Sequence, residues 1–262
     1  MTTFFAARNI CKSYPQKKGF WGYKRVEVIK NIHLDLQEGK TLGVVGESGC
    51  GKSTLAKILC GVLRYDSGEI FFENQKLTIP YAKTIHRQIQ MVFQDPYSSL
   101  NPRMRLGAIV EEPLIIHGVH AKERKVRVGS MLERLGFTTA DLDKYPHAFS
   151  GGQRQRIAIA RSLVLMPKIL ICDEPVSALD LSLQAQILQL LDDLQKELHL
   201  SLIVITHDLR VVKKIAHDVI VMKDGEIVER GSADVILQTP QHPYTKSLLL
   251  CIPHLKRKND VA

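Results

Sequence analysis

No run in this sequence approaches the roughly 18 to 20 consecutive apolar residues that a membrane-spanning helix needs, which excludes a helical integral membrane protein. The first residues, MTTFFAARNICKSYP, lack a basic start followed by a long apolar run. No secretory signal is therefore expected, and the chain is expected to stay in the cytosol. Cysteine is scarce and scattered: Cys11, Cys50, Cys60, Cys172 and Cys251, an odd set with no C-x-x-C pair. That spacing argues against a disulfide framework and against a zinc site. Cys60 and Cys172 stand in apolar runs and read as small buried hydrophobes. There is no internal repeat. Acidic residues are in the minority, 27 against 36 lysines and arginines, for a formal net charge of +9. Such an excess fits nucleic acid, an anionic membrane surface or a nucleotide ligand. It gathers at Lys17, Lys18, Lys24 and Arg25, and again at Lys256, Arg257 and Lys258. These read first as solvated basic loops. The functional alternative is an anionic leaflet nearby, worth about 1 kcal/mol per basic residue.

What is present is ordinary globular material: 262 residues, 45% hydrophobic and 24% charged. That suffices for one large domain or a core with a smaller subdomain. Residues 26–38 alternate near their end, with Ile32, Leu34 and Leu36 on one side and His33, Asp35 and Gln37 on the other. This predicts a half-buried, antiparallel strand. TLGVV (41–45) fits a buried parallel strand, followed by a Gly-rich loop and a helix carrying Leu55, Ala56, Ile58 and Leu59. EIFFE (69–73) and IQMVF (89–93) read as strands, and the turn-rich QDPYSSLNPR (94–103) as a loop. From about 105 to 165 the pattern is helical. Strands return at KILIC (168–172), LIVIT (202–206) and DVIVM (218–222). The first two enclose a helix with Ile187, Leu190, Leu191, Leu194 and Leu198 on one face. Asp224-Gly225 predicts a hairpin turn. The tail after about 240 predicts a short appended helix and a frayed end. The fold class is therefore α/β, with a mostly parallel sheet, an antiparallel β portion near the start and an inserted helical subdomain.

Residues 46–53, Gly-Glu-Ser-Gly-Cys-Gly-Lys-Ser, match the phosphate-loop pattern G-x-x-x-x-G-K-[ST], with a strand before and a helix after. Glycines let backbone N–H groups converge on phosphate oxygens, and the helix start favours an anion. The candidate phosphate cradle is Gly46, Glu47, Ser48, Gly49, Cys50, Gly51, Lys52, Ser53 and Thr54. Lys52 is expected to reach the β- and γ-phosphates, and Ser53 to offer its hydroxyl to Mg²⁺. The bland reading, a Gly-rich turn, does not account for the flanking strand and helix. The loop alone does not name the nucleotide or the reaction.

ILICDE (169–174) is an apolar strand ending in two acids. Asp173 is the candidate for the Mg²⁺ shell and Glu174 for polarising the attacking water. Taken alone, the pair is as readily a solvated strand end; beside a phosphate loop the functional reading leads. LIVITH ends in His207, a candidate contact for the γ-phosphate or the water. Open α/β sheets bind ligands at the carboxyl ends of their strands, where these groups are expected to meet. Ser150, Gly151, Gly152 and Gln153 open a further helix and form a second anion-binding helix start. Two such starts some 100 residues apart suggest sites shared between two chains.

With these segments in order, the sequence resembles the ABC transporter ATPase family through nearly its whole length. Residues 46–53 look like its Walker A motif, Gln94 its Q-loop glutamine, and SGGQ (150–153) its signature. ILICDE looks like its Walker B motif with the catalytic glutamate. SALD (177–180) looks like its D-loop, ending in Asp180, and His207 its switch histidine. Tyr14 sits where the family places an aromatic stacked on adenine. Phe149 departs from the family's frequent leucine, apolar for apolar. The resemblance implies ATP and Mg²⁺, the metal drawing on Ser53, Gln94 and Asp173. It also implies a core over 1–94 and 161–231, a helical subdomain over 95–160 and a C-terminal extension over 232–262.

It implies a head-to-tail pair, either with a homologous ATPase or with a second copy, each ATP lying between one Walker A and the other signature. The pair would drive two polytopic membrane permease subunits at the cytoplasmic face of the cell membrane, fed indirectly by an extracytoplasmic substrate-binding protein. QDPYSSLNPR and HPYTKSLLL (242–250) narrow the likeness to the oligopeptide, dipeptide and nickel importers, where the chain resembles the second of two ATPases. The expected cargo is a peptide, with nickel or another metal complex as the alternative. Cys251 alone in the tail does not supply the closely spaced cysteines of the branch's iron–sulfur members. A nucleic-acid-associated ABC ATPase would favour two cassettes, coiled coils or zinc cysteines, none of which occurs, so no nucleic-acid partner is expected. A small-molecule kinase would leave SGGQ without a role.

Overall fold

The computed structural model describes residues 4–18, 22–95 and 99–250. Cys251 and the basic run at 256–258 lie outside them, as do parts of the 94–103 loop. The chain forms two compact units, residues 1–80 with 203–262, and 81–202.

In the first unit, β1 (Phe5–Lys18), β2 (Gly22–Leu36), β4 (Ser67–Phe72) and β5 (Gln75–Leu77) form an antiparallel sheet in the order β2-β1-β4-β5. β2 behaves as its alternation predicts: Ile32, Leu34 and Leu36 are buried, Asp35 and Gln37 exposed, and Phe5 pairs with Leu36. β1 carries no legible alternation because it is bulged. Its register slips between Ala7 and Ile10, again before Lys12 and before Ser13, and Asn9 has φ +51°. Each bulge flips the side-chain period, so the strand loses its sequence signature.

β3 (Thr41–Val45) and β9 (Asp218–Lys223) pair in parallel, and β10 (Glu226–Ser232) pairs antiparallel with β9. The β9–β10 turn has Asp224 at φ +49° and Gly225 at φ +86°. Two successive positive φ values are what a two-residue hairpin with right-handed strand twist demands. Two short helices, α8 (Ala233–Gln238) and α9 (Pro243–Leu250), follow. Ala233, Ile236 and Tyr244 pack into one apolar cluster with Val45, Val219 and Val221. Leu209 and Val212 join it from α7 (Leu209–Ile215).

In the second unit β6 (Ile89–Val92) runs parallel to β7 (Ile169–Asp173), Ile89 opposite Ile169 and Val92 opposite Cys172. All of β7 is buried, so it reads as a continuous apolar run. Burial pushes the Cys172 thiol up to about 12, with the neighbouring Asp173 adding to the shift, so the side chain behaves as the inert hydrophobe its context predicts. Helices α3 (Leu106–Ile116), α4 (Ala121–Arg134) and α5 (Gly151–Leu163) fill the segment read as helical. α6 (Leu181–Leu198) buries Ile187, Leu188, Leu191, Leu194 and Gln195. Its inner face is therefore rotated slightly from the predicted one, leaving Leu190 and Leu198 half-buried. Among the described residues no helix is long and apolar enough to cross a membrane.

Candidate active site

The phosphate loop is held from several sides within the first unit. The chain leaves β3 at Gly46, whose added Cβ would lie 2.2 Å from the Met222 carbonyl oxygen. Nothing larger than glycine fits between loop and β9. Gly51, at φ +105°, precedes α1 (Lys52–Leu59), and a Cβ there would meet the Val28 carbonyl oxygen at 2.7 Å. The Cys50 carbonyl accepts from the Gly225 N–H at 3.1 Å, so the hairpin turn braces the loop. Lys52 is buried, and its ammonium donates to the carbonyls of Gly46 and Glu47 at 2.7 Å each. A buried cation requires such partners. Glu47, Ser48 and Gly49 are exposed at the tip, while Ser53 and Thr54 are half-buried in the first turn of α1. Burial raises the Cys50 thiol, Lys52 opposing it.

Gly46→Ala is expected to destabilise the protein by about 2 kcal/mol, the cost of forcing an extra methyl into a packed site. A thermal unfolding curve beside a nucleotide titration checks this; an unchanged midpoint would show that the loop yields freely.

His207 follows β8 (Ser201–Thr206) and is exposed. The turn is fixed beside it: the Asp208 N–H donates to the Thr206 hydroxyl at 3.0 Å, and the Asp208 carboxylate caps α7 through the Arg210 N–H at 2.8 Å. Burial pushes the Asp208 carboxyl up, but the Arg210 hydrogen bonds and charge outweigh it and hold the group below its usual value. Tyr14 is 38% exposed on β1, with the Lys12 ammonium 5.5 Å from its ring centroid. Lys12 is itself held by Asp66 at 3.0 Å. Hydrogen bonds from Ser13 and Lys12 pull that carboxyl down to about 2.

The second unit holds the acids and the signature. Asp173 ends β7 at 3% exposure. Glu174 follows in the left-handed region, φ +47°, unusual for a side-chain-bearing residue and therefore a point of backbone strain. The Gln94 amide nitrogen donates to a Glu174 carboxylate oxygen at 3.1 Å. The structure thus joins two residues eighty positions apart that the sequence singled out separately. The Ser177 N–H and hydroxyl both donate to the Glu174 carbonyl, at 3.3 and 3.2 Å, closing the turn. Asp180 caps α6 by accepting from the Leu183 N–H at 2.9 Å.

Ser150 caps α5, its hydroxyl accepting from the Gln153 N–H at 3.3 Å while the Gln153 side chain accepts from the Ser150 N–H at 3.0 Å. This reciprocal box satisfies two donors at the helix start. Gly152 lets α5 approach α6, since a Cβ there would touch the Leu183 side chain at 3.1 Å. Phe149 is buried edge-to-face on Phe137, ring centroids 5.6 Å apart, so an aromatic suits this position. The sequence predicts the Asp224-Gly225 hairpin but not its contact with the loop, nor the strain at Glu174, because both depend on backbone geometry.

The chain is similar to known proteins over nearly its whole length. The family described as ABC transporter matches residues 29–177. The oligopeptide/dipeptide transporter C-terminal region matches residues 228–262. The dipeptide transport ATP-binding protein DppF of Escherichia coli is 50% identical over 254 residues, covering 95% of this chain and 76% of that protein. The oligopeptide transport ATP-binding protein OppF of Haemophilus influenzae is 49% identical, covering 87% of this chain and 70% of that protein. A dimeric ATP-binding cassette solved in a post-hydrolysis state with ADP and Pi is 31% identical with a TM-score of 0.76, over 87% of this chain and 98% of that one. The cbiO1 protein of Clostridium perfringens, part of a cbiONQ transporter complex, is 30% identical with a TM-score of 0.78, over 92% and 93% of the two chains. The chain belongs to the ABC transporter family as an ATP-binding, ATP-hydrolysing subunit.

Proposed function

We propose that this subunit hydrolyses Mg²⁺-bound ATP to drive the import of short peptides. The observation that carries the cargo class is the peptide-transporter C-terminal region at 228–262, joined to a cassette half identical to a dipeptide-transport ATPase. Lys52 and the loop from Gly46 to Thr54 bind the phosphates, and Tyr14 stacks on the adenine. Glu174 polarises the attacking water, Gln94 holds that carboxylate through its amide nitrogen, and His207 contacts the γ-phosphate. Ser150, Gly151, Gly152, Gln153 and Asp180 serve the ATP of the paired ATPase, a homologue or a second copy.

The donor set suits Mg²⁺. The Ser53 hydroxyl, the Gln94 amide oxygen and the buried Asp173 carboxylate are hard oxygen ligands. Held by Ser53, Gln94 and Asp173, Mg²⁺ would supply positive charge against the charge developing on the phosphates.

In the proposed division into a core over 1–94 and 161–231, a helical subdomain over 95–160 and a C-terminal extension over 232–262, the helical subdomain receives the membrane partner. Supporting this, the second unit carries a cleft of about 220 Å³ lined by Phe93, Ser99, Pro113, Ile116, His117 and Arg161. Ile115 and Ile116 are exposed at 53% and 59%. An apolar rim beside a fixed arginine suits a short amphipathic helix. The partners are two polytopic permease subunits at the cytoplasmic face of the membrane, supplied by an extracytoplasmic binding protein.

The test is to solubilise membranes in mild detergent with ATP and identify what co-purifies with a tagged Glu174→Gln chain. Two polytopic proteins and a second ATPase are expected. Recovery of the chain alone, or with RNA, would overturn the transporter reading.

A further inference from the structure

The C-terminal segment touches the phosphate loop. Tyr244, in α9, is buried at 7% exposure. Its ring packs among Val45, Leu209, Val212 and Val221, with the Lys223 ammonium 5.0 Å from its centroid. Packing alone would be served by phenylalanine. A hydroxyl in such a place costs free energy unless it finds a partner. It has one: the Glu47 backbone N–H donates to the Tyr244 hydroxyl at 3.1 Å.

That N–H belongs to the same peptide unit as the Gly46 carbonyl, which accepts from the Lys52 ammonium at 2.7 Å. One peptide plane is thus gripped on both sides, by Lys52 through its oxygen and by Tyr244 through its nitrogen. Rotating that plane would turn the carbonyl away from Lys52. The tyrosine is in turn well anchored. The Glu229 carboxylate of β10 accepts from the N–H groups of Gln241 and His242 at 2.7 and 3.2 Å. The His242 ring accepts from the Tyr244 N–H at 3.2 Å. Pro243 opens α9, where a missing N–H costs nothing. Burial raises the Tyr244 phenol above its ordinary value, so it stays protonated at neutral pH.

We infer that Tyr244 is a positioning residue of the nucleotide site. Its hydroxyl orients the Gly46–Glu47 peptide, and through it the ammonium of Lys52, so the C-terminal segment sets how strongly the loop holds a triphosphate. The inference rests on the reading of residues 46–53 as the phosphate cradle.

The experiment compares the full-length wild-type chain with Tyr244→Phe, Lys52→Ala and Leu248→Ala, titrating each with mant-ATP and mant-ADP and recording its unfolding midpoint. Tyr244→Phe keeps the ring and deletes only the oxygen. It is expected to weaken mant-ATP binding about five- to tenfold, and mant-ADP less, with the midpoint nearly unchanged. Leu248 is a partly buried side chain packed against the same apolar cluster. Leu248→Ala is expected to lower the midpoint and leave affinity as it was. Tyr244→Phe binding like wild type, while Lys52→Ala loses nucleotide, would overturn the inference and leave the phosphate reading intact. Equal affinity losses in Tyr244→Phe and Leu248→Ala would also overturn it, by making the tyrosine merely structural. Wild-type binding by Lys52→Ala would overturn the phosphate reading, and the inference with it.

Discussion

Glu174→Gln is expected to lower ATP turnover by about a hundredfold or more while leaving nucleotide binding intact, the loss typical of a deleted general base. The substitution is nearly isosteric. A glutamine carbonyl can still accept the Gln94 amide proton that now reaches Glu174 at 3.1 Å. Glutamine carries no β-branch, so the left-handed backbone at φ +47° suffers no added strain. What disappears is a negative charge able to draw a proton from water. Losing that charge near a polyphosphate can only favour the bound anion, so affinity should hold or rise. Phosphate release and a mant-ATP titration on the same protein check both halves. Turnover at the wild-type rate would remove Glu174 as the base and make His207 the next candidate.

How much of this was legible from sequence depends on whether the signal is local. β2, β3, β7, β8 and β9 announce themselves because their side-chain period or apolar run survives intact. The Asp224-Gly225 turn does so because its chemistry fixes its geometry. β1 does not, since its bulges and the positive φ of Asn9 scramble the period over a dozen residues. Its partner glycine, Gly68, tells the same story. A Cβ there would strike the Asn9 carbonyl oxygen at 2.6 Å, a constraint set by a segment nearly sixty residues away. α2 (Lys83–Gln88) buries no residue, so it carries no hydrophobic stripe to read.

Within the candidate site the residue types suggest the proposed chemistry from sequence alone: glycines and lysine for phosphate, acids for metal and water. Their supports were not. The hydrogen bond from Gln94 to Glu174 spans 80 positions, and the one from Glu47 to Tyr244 spans 197. No periodicity links such pairs. Gly46 shows the difference best. The sequence explains it by close approach of phosphate, whereas the structure adds a wall, the Met222 carbonyl, that excludes any side chain regardless of ligand.

Lys52→Ala is expected to weaken ATP binding about a hundredfold, the order of one or two charge-assisted hydrogen bonds. The cause is twofold. The phosphates lose their counter-charge, and the carbonyls of Gly46 and Glu47 lose the donor that gathers them at 2.7 Å. Stability should change little by comparison. Alanine is the best helix former at the first position of α1, and the relieved desolvation of a buried cation offsets part of the cost of leaving two carbonyls without their donor. Lys52→Arg separates charge from shape. It retains the positive charge, but a planar guanidinium does not fit the compact slot between two carbonyls. If Lys52→Arg binds as poorly as Lys52→Ala in the same titration, the point-like ammonium is what the loop selects. If it binds like wild type, charge alone suffices and the two carbonyl contacts contribute nothing to affinity.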